Sequence, residues 1–210
     1  MLVPLARTDR RAKLFDAIES GAIAAADVPP VRRSLLLKSG DPATKARAEK
    51  LFGSEATPAA RRELIARYRQ ALAGTPDPAA GRVIFTRECA NCHRLGGEGH
   101  DVGPALVTVR ARTSAEILEH ILDPNREVSP HFLEYVILQH DGTIKTGAIA
   151  AETPTSFTLR QPLGKQETVL RSDIDTVTSS GKSLMPEGLE QKVTPDEMRN
   201  LIEYVRTATK

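Results

Sequence analysis

The chain has 210 residues, of which 40% are apolar and only 4% aromatic, with no tryptophan; this suffices for one large domain or a small domain with a helical extension, although a core of Leu, Ile, Val and Ala alone is thin. The net charge of +2 divides unevenly, residues 1–74 carrying 14 Lys and Arg against 8 Asp and Glu, and residues 75–210 carrying 15 against 19. That asymmetry suits docking on an acidic neighbour, whereas the lack of any basic run interleaved with aromatics argues against a nucleic-acid surface.

No segment approaches the ~20 apolar residues of a membrane span, and MLVPLARTDR lacks the apolar stretch of a secretory signal, so a leader is expected to have been removed or to lie upstream. The first 74 residues read as helices punctuated by Gly and Pro. RRAKLFDAIESG and VRRSLLLKSG are short candidates, each closed by glycine. DPATKARAEKLFG follows with Asp41 as cap, Pro42 as first helical residue and Gly53 past the end, and TPAARRELIARYRQALAG repeats this with Thr57, Pro58 and Gly74. The pattern predicts a small α-helical, repeat-like region over 1–74 with no site chemistry of its own.

GTPDPAA, residues 74–80, is a linker and a helix start together, with Asp77 capping a helix that runs into RECANCHRLGG. Further on, TSAEILEHILDP opens with a Thr113–Glu116 capping box and presents Ile117, Leu118, Ile121 and Leu122 on one face. Over about 132–178 the period becomes alternating: FLEYVILQ, TIKTGAIA, SFTLR and KQETVL predict a three- or four-stranded antiparallel sheet, with Asp141-Gly142 as a type I′ hairpin turn. Helix returns in the last segment, where Thr194 and Glu197 form a capping box and Met198, Leu201, Ile202 and Val205 make a buried stripe.

Both cysteines of the chain, Cys89 and Cys92, lie in CANCH, with His93 directly after. Cys-x-x-Cys-His is the attachment signature of c-type haem. Two thiols three residues apart on one turn can add to two vinyl groups at one porphyrin edge, and the next side chain then reaches the iron. The rival readings are weaker. A redox dithiol belongs at a helix start after a strand; a zinc site through Cys89, Cys92 and His93 would need a stray His100 as fourth ligand; and a disulfide closing so short a loop removes little chain entropy. The haem reading also asks for a second axial ligand. His120 and His140 read as solvated and Met198 as core, while His100 and His131 stay open. Met185, in the loop SSGKSLMPEGLEQ, serves no amphipathic pattern and precedes a proline that can hold it rigidly, so it is the preferred candidate.

Residues 77–208 resemble a class I cytochrome c: GRVIF leads into CANCH, then GPAL, a loop MP, and a last helix LIEYV. The resemblance implies one covalent haem c, with His93 and Met185 on the iron, and a crossing of first and last helices at Gly81, Phe85 and Tyr204. It also implies a Pro104 carbonyl accepting from the His93 imidazole, and Arg110 or Arg112 beside a propionate. CHRLGGEGHDVGPAL, ILDPN, TGAIAAET, LRSDID and SLMPEGLE further resemble the haem-binding domain found near the C-terminus of large predicted dehydrogenases and helical-repeat proteins of planctomycetes and verrucomicrobia. The expected fold is therefore mainly α: residues 1–74 helical, and 75–210 a cytochrome c domain with a β insertion. The expected function is periplasmic electron transfer, without catalysis, to a redox partner protein or from an attached dehydrogenase domain. The competing classes are a haem enzyme or gas sensor with an open or labile distal site, and a docking module in which haem only completes the core.

Overall fold

The computed structural model describes residues 3–23, 28, 30–37, 39–52 and 58–208; the expected caps Gly53 and Thr57 lie outside them. Contacts divide the chain into two compact units, Met1–Ala59 and Ala60–Lys210. In the first, α1 (Val3–Glu19), α2 (Pro30–Leu37) and α3 (Pro42–Phe52) share a small core of Phe15, Ile18, Val28, Leu36, Ala48 and Phe52. The helix expected from about residue 10 in fact starts at Val3, and Gly21 follows its end at φ 77°. Asp41 caps α3 as expected, its carboxylate accepting from the Thr44 amide at 2.9 Å. Thr44, Ala48 and Phe52, four residues apart, form the buried stripe of α3.

The second unit takes in α4 (Pro58–Ala71) from Ala60 onward, so compactness separates the chain at 59/60, where 74/75 was expected. The physical reason is that Tyr68 is 1% exposed in the core of this unit, with Leu64 and Ile65 of the same helix, and Leu72 just past its end, packed against that core. Then come α5 (Pro78–Glu88), a two-stranded hairpin of β1 (Arg94–Leu95) and β2 (Glu98–Gly99), and α6 (Ser114–Leu122). A five-stranded antiparallel sheet follows: β3 (Leu133–Gln139), β4 (Ile144–Glu152), β5 (Ser156–Arg160), β6 (Gln166–Leu170) and β7 (Ile174–Ser183), in the order β6-β5-β4-β3-β7. Helix α7 (Pro195–Thr207) ends the described chain. Asp77 accepts from the Ala79 and Ala80 amides, and the capping boxes at Thr113 and Thr194 are both formed. Helix and sheet thus share this unit, and the helical core of Phe85, Leu118, Leu122, Met198, Leu201 and Ile202 is separate from the sheet cluster of Ile137, Phe157, Leu159 and Val169.

Two expectations for the sheet are corrected. A fifth strand, β7, occupies residues read as linker and loop, because its side chains are mostly polar and exposed while its backbone pairs with β3. Gly181 sits inside that strand at φ 71°, where the β3–β7 register shifts between Leu133↔Ser183 and Tyr135↔Ser179, so it serves an irregular strand pairing and not a loose loop. The turn at 140–142 is not type I′, since Gly142 alone takes positive φ (84°) and Asp141 does not. Instead the Gly142 amide donates to the Gln139 carbonyl at 2.8 Å and the Gln139 amide to the Thr143 carbonyl at 2.8 Å, a three-residue hairpin loop closed by a left-handed glycine.

Glu134 on β3 is buried beside Ser180 and Lys182. Burial pushes its carboxyl up to about 7, opposed in part by the Ser180 hydrogen bond and the Lys182 charge. The folded protein therefore keeps a proton that the unfolded chain has already released, so stability falls as pH rises from the ordinary glutamate range through about 7. Glu134→Gln is expected to remove that fall and to raise thermal stability at pH 8. Urea unfolding at pH 5 and pH 8 checks it, and an unchanged dependence on pH would sink the assignment.

Candidate functional site

The site starts where α5 stops. Cys89 is the C-cap, its amide still donating to the Phe85 carbonyl at 2.8 Å, and the Cys92 and His93 amides both turn back to the Cys89 carbonyl at 3.0 and 2.9 Å. Both cysteines and the histidine therefore lie on one tight turn, all three half-buried. The chain then reverses through β1 and β2 over Gly96 (φ 59°) and Gly97 (φ 81°), the two positive φ values of a type I′ turn. This brings the Val102 and Gly103 amides onto the Cys92 carbonyl at 3.0 and 2.7 Å. The loop is bonded to the turn it follows.

His93 is held on two sides. Its Nδ1 lies 3.0 Å from the Pro104 carbonyl oxygen, and a Cβ built on Gly103 would fall 2.5 Å from Cε1 of the ring. Only glycine lets the backbone lie this close to the imidazole. Gly99 plays a similar part for the turn itself: it sits at φ 87°, and a Cβ there would fall 2.0 Å from the His93 carbonyl oxygen. Neither glycine was singled out in the sequence, although GEGHDVGP contains both; their signal is the close approach, which spacing alone does not show.

Burial pushes the Cys89 thiol up to about 12 and raises that of Cys92, while burial lowers the proton affinity of the His93 ring despite its hydrogen bond to Pro104. A redox dithiol needs the opposite, a thiolate stabilised near neutral pH. A neutral imidazole whose Nδ1–H is committed to a carbonyl leaves Nε2 as a metal ligand. Among the described residues no three His, Cys, Asp or Glu side chains are grouped to hold a metal ion by themselves.

The two arginines differ. Arg112 is exposed and pairs with His120 of α6. Arg110 is half-buried, and its Nε and Nη2 are buried without a hydrogen-bond partner. Single guanidinium nitrogens of Arg33, Arg160 and Arg199 share that condition, but among the described residues only Arg110 has two. A buried, unsatisfied guanidinium edge asks for an anionic partner.

Met185 lies between β7 and a short 3-10 turn at Leu189–Gln191. The Met185 amide donates to Ser183 Oγ at 3.1 Å, the Ser183 amide to Asn125 Oδ1 at 2.8 Å and the Leu184 amide to the Phe132 carbonyl at 2.9 Å. Of the other candidates, the His100 amide donates to the Ala90 carbonyl of the CANCH turn at 3.1 Å. Met198 is fully buried in the helical core, His131 and His140 are exposed, and the His100 ring rests against Gly164, 3.1 Å from where its Cβ would be.

Gly81, Phe85 and Tyr204 meet as expected. A Cβ on Gly81 would fall 2.0 Å from the Asn200 carbonyl oxygen of α7, and the Phe85 and Tyr204 rings are 5.6 Å apart at 51°. Helices α5 and α7 are in backbone contact there.

Residues 78–131 match the family model Cytochrome c, from the first residue of α5 to just before β3. No curated protein matches the chain. The family's cofactor is covalently bound haem c with its iron, and the residues present suit it: two thiols and a neutral imidazole on one turn, and, in the matched segment, a half-buried Arg110 guanidinium lacking a partner.

Proposed function

We propose, from the Cytochrome c domain at 78–131, that residues 75–210 form a monohaem electron-transfer module of class I cytochrome c type, with the five-stranded sheet inserted between α6 and α7. The observation that carries this reading is the His93 imidazole, fixed between Gly103 and the Pro104 carbonyl directly after two cysteines on the same turn. Haem c, when bound, supplies a one-electron couple at its iron. Cys89 and Cys92 would hold it through thioethers, and His93 and Met185 would bind its iron.

Each residue has a stated task. The Pro104 carbonyl accepts from His93 Nδ1–H, which orients the ring and makes Nε2 a better donor. Gly103 leaves the ring its place, since any Cβ there would meet it. The apolar packing of Phe85, Leu118, Met198 and Leu201 keeps water from the buried face, and Arg110 offers its two free nitrogens to a propionate. Arg112, already paired with His120, takes no part. No side chain is asked to do bond-making chemistry on a substrate, so the module carries electrons and is not itself an enzyme.

We further place it in the periplasm, as one part of a larger dehydrogenase or beside a redox partner protein. The support is the resemblance of SLMPEGLE and ILDPN to the haem domains of such proteins; no described helix is long and apolar enough to cross a membrane.

Met185→Ala in the haem-loaded protein is the test. The parent is expected to show the thioether-to-iron absorption band and to bind carbon monoxide slowly when reduced; the variant loses the band, binds carbon monoxide rapidly and has a lower reduction potential. A parent without the band, already binding carbon monoxide rapidly, would instead point to an open distal site and a sensor or enzyme.

A further inference from the structure

Helix α4 lies outside the matched region and was read from sequence as part of a segment without site chemistry. Its inward face nevertheless reaches the segment that carries Met185 at three points. Arg61, with its side chain only 12% exposed, donates from Nη1 to the Leu122 carbonyl at 2.6 Å and from Nη2 to Glu187 Oε1 at 3.2 Å. One guanidinium thus ties the open C-terminal end of α6 to the residue two beyond Met185. The other carboxylate oxygen of Glu187 faces Lys182 Nζ at 3.5 Å, on the β7 side of the same loop. About two turns further along α4, the Tyr68 hydroxyl donates towards the Val193 carbonyl at 2.7 Å and the Glu190 carbonyl at 3.1 Å. Leu64 and Ile65, between these two residues, pack against the helical core. The far end of α4 is held in turn by α7, where Arg199 Nη1 donates to the Ala71 carbonyl at 3.1 Å.

We infer that α4 is a strut that positions the Met185 loop, with Arg61 and Tyr68 as positioning residues that hold the chain just after the methionine, at Glu187, Glu190 and Val193; the inference rests on Met185 being a ligand of the haem iron. The physical need is plain. Residues 184–188 form no ladder or helix of their own, and Gly188 adopts a left-handed φ of 91°, so local structure alone would leave the loop free to open. Arg61 and Tyr68 satisfy carbonyls and a carboxylate that otherwise face a half-buried space, and they do so only while the loop is closed. The consequence is functional: the strut keeps the thioether in place in both oxidation states and denies the iron to outside ligands.

The experiment uses the full chain, matured with haem. Tyr68→Phe keeps the packed ring and removes both hydrogen bonds, and Arg61→Gln removes the charge; Glu187→Gln keeps an acceptor for Arg61, and Glu187→Ala does not. Met185→Ala and the parent are run alongside. Expected is a rise of about tenfold or more in carbon monoxide binding rate for Arg61→Gln, Tyr68→Phe and Glu187→Ala, as fits loss of hydrogen bonds in a half-buried setting. Glu187→Gln stays near the parent. The thioether band of the first three should also melt well below the temperature of global unfolding followed by far-UV circular dichroism. If band and fold melt together, with carbon monoxide binding unchanged, α4 is merely structural and the inference falls. If Arg61→Gln does not fold, Arg61→Lys and Tyr68→Phe decide the matter by the same two readouts. Failure of the underlying reading looks different: the parent would lack the band, or Met185→Ala would keep it.

Discussion

Protein carrying Cys89→Ser together with Cys92→Ser, exported and matured beside the parent, is expected to run on a denaturing gel as a band with no covalent haem, while the parent stains. The loss should be essentially complete, because the chain has no other cysteine to replace either thioether. Each single variant keeps one thiol on the turn and should retain a fraction of the stain. The structural basis is the shared turn: Cys89, Cys92 and His93 are fixed relative to one another by three hydrogen bonds that their backbone amides donate to the Phe85 and Cys89 carbonyls. Burial keeps both thiols protonated, which disfavours the thiolate chemistry of a redox dithiol and suits addition to an apolar ring edge. A stained band from the double variant, or a colourless parent, would remove the attachment assignment altogether.

Gly81→Ala should be strongly destabilising. The new Cβ would sit 2.0 Å from the Asn200 carbonyl oxygen and 2.6 Å from the carbonyl carbon. Those are backbone atoms of α7, so the clash is relieved only if the two helices separate. Separation strips the Phe85–Tyr204 contact and the bond from the Asp77 amide to Asn200 Oδ1. Overpacking at such a crossing costs about 3 kcal/mol, or roughly 6–12 °C in Tm for a unit of this size. Gly40→Ala is the control, since a Cβ there meets nothing within 4 Å and its φ is ordinary. Thermal unfolding of the haem-loaded variants checks the pair; equal Tm values for both would show that α5 and α7 are not in the tight contact described.

Much of the site was legible because its chemistry is local. Cys89, Cys92 and His93 fall within five residues, and the Thr113, Thr194 and Asp77 caps act within one helical turn. Pro104 could be named only through the family resemblance, and the structure supplies its hydrogen bond to His93. Arg110 and Arg112 could not be separated by sequence, since both are arginines two residues apart; burial of one and the His120 partner of the other separate them. The fifth strand went unread for a comparable reason. DTVTSSGKS has little apolar alternation because β7 is an edge strand with one partner and exposed side chains, and strand propensity reports packing more than backbone preference.

The sequence by itself determined the Cys-x-x-Cys-His turn, the helix starts and the apolar stripes, because spacing, capping and periodicity are properties of neighbouring residues. Only the tertiary structure decided that Gly103 backs the imidazole, that Gly81 lets α5 touch α7, and that α4 packs on the later part of the chain through Arg61 and Tyr68. Those contacts join residues from 10 to more than 120 positions apart. Which of many possible long-range partners a residue meets depends on how every element packs at once, and that information is carried by no single stretch of sequence.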